Sequence, residues 1–441
     1  MPLDILDLDV SVDTGAIPQP TFNDVLTIGV SETEPPNAAF GESNRYQDSS
    51  QVAEDYGEGS DVHVASEAIQ EMGAENWRVM VAQEQTVSAE TVNDGETLAN
   101  TPVYGDTPVS SAGDETIEFT TGLPSDENPE AGVVLINPAT GEVAIGDSTS
   151  VDLDYSYVEW PFAQIPNDVD VIGFADTGIT RQHYGDLSEL DTYATGAGQA
   201  VVAAYEDGRE YADEDEALAM MQDVGSAVPS NSLLTIAHKS SADVGSYVLG
   251  LEAVQQPWLS KMWDDAPQIP VNTDYYSGAI IGDPATPGTL EGGISASAAS
   301  NDQEEGMGAT NVLISVAGVQ VVSNWQTTAG PGSPYQYFDI YRTEQFARSE
   351  IQRAIRTLKL NNDQIPFAPV GRTIIESGLS EVFDNVTGGV EDPFASVDVR
   401  VPQWDELTEE QRANRRWEGI DIDARLTGDV HQFGITLNLE V

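Results

Sequence analysis

The chain has 441 residues, no cysteine, 17 Lys and Arg against 75 Asp and Glu, and a formal net charge of −58. The length predicts two to four domains. The lack of cysteine excludes disulfides, thiol catalysis and thiolate metal sites, and the negative surface argues against a nucleic-acid partner. Because molar salt shortens the Debye length to about 3 Å and screens such a surface, we expect a halophilic protein.

The start of the chain, Met1–Asp4, has neither the basic nor the apolar segment of a signal peptide. The sequence also lacks an apolar run of the roughly 18 residues that a membrane-spanning helix needs. We therefore expect a soluble protein that is made in the cytoplasm and has no membrane partner.

Both ends of the chain alternate apolar and polar residues, which is typical of half-buried β-strands. The apolar positions are Leu6, Leu8, Val10 and Val12 near the N-terminus, and Phe433, Ile435, Leu437, Leu439 and Val441 at the C-terminus. Termini usually fray unless something holds them, and a free strand edge invites pairing. Two hypotheses follow and the pattern favours neither: the strands are donated to neighbouring subunits, or they fold into their own domain.

The order of predicted elements indicates a multidomain protein of α/β and α+β type. Val25–Val30 is typical of a buried strand, Ser60 begins a helix, and Arg78–Ala82 is the next strand, as in an α/β domain. We predict an N-terminal arm (1–20), a discontinuous central α/β domain (21–85 and 161–329), an inserted all-β domain (86–160), a C-terminal α+β domain (330–427) and a C-terminal arm strand (428–441).

Several elements within these domains have clear signals. Asn137–Gly141 separates two short apolar runs and predicts a hairpin. We expect a helix over much of Leu187–Tyr205, a strand or strand pair over Asn311–Val322, and a strand over Tyr337–Tyr341.

The sequence contains no convincing catalytic or metal-binding constellation, so we expect neither an enzyme nor a cofactor. The four histidines, His63, His183, His238 and His431, do not have the spacing of metal ligands. Gly196–Gly198 resembles half of a dinucleotide-binding fingerprint but lacks its third glycine. Paired acids such as Asp264 and Asp265 carry no information in so acidic a chain.

The basic residues are concentrated near the C-terminus. Eleven of the 17 lie between Arg342 and Arg425, whereas 6 basic and 56 acidic residues precede Tyr337. We predict a helix from Thr343 to about Leu360 that has one apolar face. An adjacent basic face is formed by Arg348, Arg353, Arg356 and Lys359. This face either docks an acidic partner or pairs with acids of its own domain.

Three ordered blocks of the chain resemble the sheath proteins of contractile tails. The first is Val25–Val30 followed by Asn44–Gly57, and the second runs from Asn311–Ile314 to Trp325 and Thr327. The third comprises Tyr337–Thr343, Ile365–Phe367, Val399–Pro402, Arg412–Arg416 and Ala424–His431. The chain departs from the family at Val322–Gln326, which lacks the Gly-Ala-Arg found in many sheath proteins.

The resemblance implies a tail sheath subunit that polymerises helically, as stacked hexameric rings, around a tail tube. The terminal arms would donate strands to neighbours, the basic helix would face the tube, and the inserted domain would lie outside. Contraction would drive the tube through the host envelope for genome ejection. The implied partners are further copies of the chain, the tail tube protein, and baseplate and tail terminator proteins, within the virion tail of a virus of a halophilic archaeon.

Two other classes of protein compete with this interpretation. A secreted or surface-layer-like structural protein of a halophile would also be acidic, but it would carry a signal peptide. A hydrolase on an α/β scaffold would need a nucleophile, a base and an oxyanion site, which the sequence does not show.

Overall fold

The computed structural model describes residues 23–104, 108–111, 115–120, 123–124, 129–146, 148–175, 183–206, 228–238, 244–256, 311–316, 319–322, 325–330, 333–362, 365–389, 392–415 and 417–427. They form two compact units. The α/β unit comprises the described residues from Asn23 to Phe338, and the C-terminal unit those from Asp339 to Thr427. Within these ranges no helix is both long and apolar enough to cross a membrane. The predicted mixed α/β, multidomain character is confirmed.

The helices are α1 (Ser49–Tyr56), α2 (Asp61–Glu71), α3 (Tyr184–Ala197), α4 (Val244–Val254), α5 (Phe338–Asn361), α6 (Pro369–Asp384) and α7 (Glu409–Asn414). The strands are β1 (Val25–Ser31), β2 (Asn44–Tyr46), β3 (Trp77–Asn93), β4 (Val109–Ser110), β5 (Thr116–Phe119), β6 (Val133–Ile136), β7 (Val143–Ile145), β8 (Ser150–Glu159), β9 (Val171–Phe174), β10 (Ala200–Glu206), β11 (Leu233–His238), β12 (Asn311–Val316), β13 (Val319–Val322), β14 (Phe394–Arg400) and β15 (Asp421–Leu426).

One sheet of ten strands organises the α/β unit, in the order β13-β12-β11-β10-β9-β1-β3-β8-β4, with β2 also paired to β3. The six strands from β12 to β3 are parallel, and the outer strands are antiparallel to their neighbours. For Asn311–Val322, where a strand or a strand pair was expected, the structure has the antiparallel pair β12–β13. Parallel strands buried on both faces explain the continuous apolar runs in the sequence.

Helices cover both faces of this sheet. Gly29 on β1 lies against α2, because a Cβ at this position would be 2.6 Å from Val62 Cγ1, and Gly173 on β9 lies equally close to Leu249 of α4. The alternate residues of β1, Leu26 and Ile28, face the opposite way and share a core with α3. The glycines allow α2 and α4 to pack closely on one face of the sheet, and the large apolar residues pack against α3 on the other face. The α/β unit therefore has three layers, with the sheet between two layers of helices.

Strand β3 is 17 residues long and runs from the parallel sheet into the segment 86–160, for which an inserted domain was predicted. It pairs with β8 from Gln83↔Glu159 to Asn93↔Ser150, with a bulge near Ala89, whose φ is +54°. The predicted boundary at residue 86 falls inside this strand. A second apolar core lies here beside the three-stranded sheet β5-β6-β7, and the predicted hairpin around Asn137–Gly141 is the antiparallel pair β6–β7.

An ion-pair network closes the N-terminal end of β1. The carboxylate of Asp24, 1% exposed, accepts hydrogen bonds from Arg45 and, at 3.0 Å, from Arg78 Nε. Arg78 Nη2 also donates to Asp168 at 2.8 Å. Two of the six basic residues that precede Tyr337 thus form ion pairs with the same buried acid, Asp24.

A second polar cluster joins α3 to the start of β11. Asp191 Oδ1 accepts hydrogen bonds from Ser230 Oγ at 2.7 Å and Ser232 Oγ at 2.6 Å. The amide of Ser230 donates to Thr328 Oγ1 at 3.0 Å. This hydrogen bond connects the cluster to the segment that precedes α5. Burial raises the pKa of Asp191, and the two serine hydroxyls oppose that rise.

The C-terminal unit packs α5 and α6 on the two-stranded antiparallel sheet β14–β15. Its core is formed by Phe346, Ala347, Ile351 and Ala354 of α5, Leu379 and Phe383 of α6, and Phe394 of β14. Helix α7 begins with a capping box between Thr408 and Gln411.

One predicted helix is present but ends earlier than the expected range, and one predicted strand was wrong. The helix expected over Leu187–Tyr205 ends at Ala197, because Gly198 takes the left-handed conformation, with φ of +71°, and ends the helix before β10. The strand expected over Tyr337–Tyr341 is instead the first turn of α5, which begins at Phe338. Thr343 is therefore inside the helix, where its Oγ1 donates to Asp339 O at 2.7 Å.

Candidate docking surface

Helix α5 presents one apolar and one basic face, as its periodicity predicts. Ala347, Ile351 and Ala354 are buried in the core of the C-terminal unit. The helix ends at Asn361, and the amide of the Asn362 side chain donates to Leu358 O at 2.8 Å, which satisfies a carbonyl of the last turn.

The four predicted basic residues share the face away from this core. Arg348, at 41% side-chain exposure, donates to Glu344 Oε1 at 2.6 Å, and Arg353, at 48%, pairs with Glu350. Arg356 is half-buried and Lys359 is exposed. Lys359 makes no ion pair with any residue that the structure describes.

Arg348 and Arg353 both pair with acids of their own domain, which is one of the two hypotheses for the basic face. Both pairs lie within one helix and are partly exposed, and such pairs contribute about 0.3–0.5 kcal/mol. A partner that brings a better placed carboxylate can therefore compete for either arginine at little cost. The pairs are compatible with docking and do not decide between the two hypotheses.

The structure adds Leu360 to this face. Its side chain is 84% exposed, more than any other large apolar residue among those described. Leu360 follows Arg356 by four positions and Arg353 by seven, so helical geometry places it in line with both. The sequence alone could have shown that Leu360 points away from the core. On a helical wheel Leu360 lies about 200° from Leu358, so the two leucines cannot both belong to the apolar face.

A groove of about 380 Å³ runs beside this face, between the C-terminal halves of α5 and α6. Leu358 and Val382 contribute apolar surface, and Arg353, Glu350 and Glu381 contribute charged groups. Gly378 on α6 faces Leu358 closely, and a Cβ there would collide with the leucine. The groove and the basic face share Arg353, so they form one continuous surface.

The predicted terminal strands lie outside the described residues, as do all of their apolar positions: Leu6, Leu8, Val10, Val12, Phe433, Ile435, Leu437, Leu439 and Val441. The sheet β14–β15 is nevertheless informative. In the described part of the chain each of these strands pairs extensively only with the other, apart from an isolated bridge between Thr387 and Phe394. A two-stranded sheet is marginal by itself, and its outer edges can accept further strands.

Two of the four histidines, His63 and His183, have side chains within the described part of the structure, and both have structural surroundings; His431 lies outside the described residues. His63 Nδ1 accepts a hydrogen bond from Gly59 N at 3.0 Å, and its Nε2 lies 3.7 Å from Glu67. His183 is buried and its ring meets Tyr104 edge-on at 5.0 Å. The described residues contain no group of three or more potential metal ligands.

Comparison with known proteins gives a match at the level of fold. No family model and no curated protein matches the sequence. Among solved structures, the contracted helical sheath of the anti-feeding prophage is similar, with a TM-score of 0.52, 12% identity and coverage of 99% of this chain and 100% of that chain.

Two further solved structures from contractile particles are similar to this chain. A chain of the anti-feeding prophage baseplate has a TM-score of 0.52 at 9% identity, and the match covers 99% of this chain and 100% of that chain. The contracted sheath complex of the extracellular contractile injection system PVC has a TM-score of 0.50 at 8% identity, with 99% coverage of both chains. The chain therefore has the fold of contractile sheath assemblies over almost its full length.

Proposed function

We propose that this chain is the sheath subunit of a contractile tail, a structural protein that polymerises helically around a tail tube and contracts. The observation that carries the proposal is the full-length likeness to a contracted helical sheath. A secreted or surface-layer-like role is not favoured, since the similar structures named above belong to contractile particles.

Subunit linkage by strand exchange is the second part of the proposal. The alternating apolar residues of both termini suit strands with one buried face. The outer edges of β14 and β15 offer backbone partners within the described residues. A head-to-tail contact of this kind does not close on itself and gives a helical filament.

Tube binding is the third part. The basic face of α5 would hold the extended sheath on an acidic tube and release it on contraction, which repacks rigid units between two arrangements. Small gains for each subunit add along the filament. Baseplate and terminator proteins would bind the two ends of the sheath.

We also propose a host, a salt environment and a particle for this protein. The net charge of −58 supports a high-salt environment, and hence a virus of a halophilic archaeon that uses contraction for genome ejection. Stacked hexameric rings in a virion tail, assembled from protein made in the host cytoplasm, complete the proposal.

Negative-stain electron microscopy of the purified protein in molar salt tests this function. We expect hollow, striated tubes, either from the protein alone or after addition of the tail tube protein encoded with it. Monodisperse particles in both samples would refute a sheath role.

A further inference from the structure

We infer that Leu360 is an apolar anchor of the α5 basic face, and that the partner surface is acidic around an apolar hollow. Within the proposed function, on which this inference rests, that partner is the tail tube. The inference adds a contact of a different chemical kind from the charges, and it gives the binding a distinct dependence on salt.

The exposure of Leu360 is the first observation. Leu360 is 84% exposed in the last turn of a 24-residue helix, so a partner that covers it would remove most of a leucine side chain from water. The next most exposed large apolar residue among those described is Val370, at 57%. The hydrogen bond from Asn362 to Leu358 O keeps this turn helical, so Leu360 is held in position on the face.

The neighbours of Leu360 indicate the chemistry of the partner. Arg353 and Arg356 lie in line with it, and Lys359 is adjacent in sequence and exposed. Arginines around a central apolar residue are typical of the energetic centre of an interface. The partner must therefore supply carboxylates around a site that accepts a leucine.

The groove beside the face offers apolar surface next to Leu360, and Glu350 and Glu381 add negative charge at its rim. Leu358 and Val382 give it an apolar lining, and its volume of about 380 Å³ can admit an apolar side chain. Leu360 projecting outward and a groove next to it provide complementary apolar contacts for an amphipathic surface.

Salt separates the roles of the two kinds of contact. In molar salt the ionic contacts of an exposed face are screened and contribute little. Apolar contacts are not screened in this way, and salts that are excluded from protein surfaces strengthen them. The arginines therefore select an acidic partner, and Leu360 retains it in molar salt.

Co-sedimentation of the full-length chain with preformed tubes of the tail tube protein encoded with it tests the inference, at moderate and at molar salt. We expect Leu360→Ala to weaken binding about ten-fold in molar salt. Val370→Ala is the matched control, because it truncates another exposed apolar residue of the same unit and is expected to bind like the wild type. Arg356→Gln is expected to weaken binding mainly at moderate salt. Thermal unfolding should be unchanged for Leu360→Ala, since the side chain is exposed.

Each contrary outcome has a separate meaning. Wild-type binding by Leu360→Ala in molar salt, or an equal loss for Val370→Ala, overturns the anchor. Loss of tube-free sheath assembly in Leu360→Ala would identify a second copy as the occupant and overturn the tube assignment. A wild-type chain that forms sheaths alone but ignores tubes overturns this inference and leaves the sheath function intact.

Discussion

Asp398 and Asp423 lie directly opposite each other across the β14–β15 pair, and both side chains are exposed. Facing like charges destabilise a strand pair. The next pair along, Arg400↔Asp421, brings opposite charges together on the same face. The short sheet therefore contains one unfavourable pair beside one favourable pair.

Replacing Asp423 with Thr should stabilise the C-terminal unit. We expect a gain of about 0.2–1 kcal/mol at low salt, because the repulsion is removed and Thr suits a strand. The gain should shrink in molar salt. Denaturant unfolding at two salt concentrations measures it, with Asp421→Thr as the matched control. An equal gain in the control would show that strand propensity alone is responsible.

Replacing Arg78 with Gln should strongly destabilise the α/β unit. The change leaves Asp24, whose side chain is 1% exposed, without its buried partner, and breaking such a pair costs about 3–5 kcal/mol. Arg45 also pairs with Asp24 but is 42% exposed, so Arg45→Gln should cost about 1 kcal/mol or less. Equal losses in chemical denaturation would contradict this division of roles.

Replacing Asp191 with Asn should change how stability depends on pH. The pKa of Asp191 is raised by burial, so the folded state binds this proton more tightly than the unfolded chain does. The charged form therefore costs stability, and this cost develops as pH rises from about 3.9, the ordinary value, through the raised pKa.

Asn keeps an oxygen for Ser230 and Ser232 but carries no charge. We expect Asp191→Asn to raise the melting temperature by a few degrees at pH 7 and to lose this advantage near pH 4. A melting temperature that differs from the wild type by the same amount at both pH values would exclude titration of this carboxyl as the cause.

Two glycine substitutions should have opposite signs. A Cβ on Gly250 of α4 would lie 2.7 Å from Met72 Cβ and 3.1 Å from Ile69 Cα of α2, so Gly250→Ala should cost about 1–3 kcal/mol. Gly196 in α3 has nothing within 4 Å, and Gly196→Ala should stabilise by about 0.5–1 kcal/mol. Thermal unfolding of both variants checks the pair, and a loss of stability in Gly196→Ala would contradict the stated packing.

Deleting residues 433–441 should abolish sheath assembly without unfolding the α/β unit. The deleted segment carries five alternating apolar residues, and the proposed exchange depends on it. Circular dichroism checks folding and electron microscopy checks assembly. Normal tubes from the truncated chain would eliminate strand exchange through this segment.

The sequence predicted well wherever burial and periodicity agree. The Val25–Val30 run, the hairpin around Asn137–Gly141 and the apolar face of α5 all follow from apolar spacing. Tyr337–Tyr341 misled because five residues rich in aromatic and β-branched side chains cannot distinguish a short strand from the first turn of a helix.

Other features depend on contacts that one sequence does not reveal. Nothing in the residues around Thr86 marks the continuation of β3, which depends on pairing with β8, more than 60 residues later. Gly198 did carry the signal for the end of α3, but we considered it only as part of an incomplete dinucleotide-binding fingerprint, which we rejected. Leu360 is a different case, because a helical wheel of the sequence already places it away from the apolar face of α5.

The length of β3 has a mechanical consequence. Its first half is hydrogen-bonded to β1 and its second half to β8 of the segment 86–160, without a break in the backbone. A load on this segment is therefore shared among many backbone hydrogen bonds that would have to shear together. The bulge near Ala89 is the point at which the described β3–β8 ladder is interrupted, and it is where we expect such a load to bend the strand.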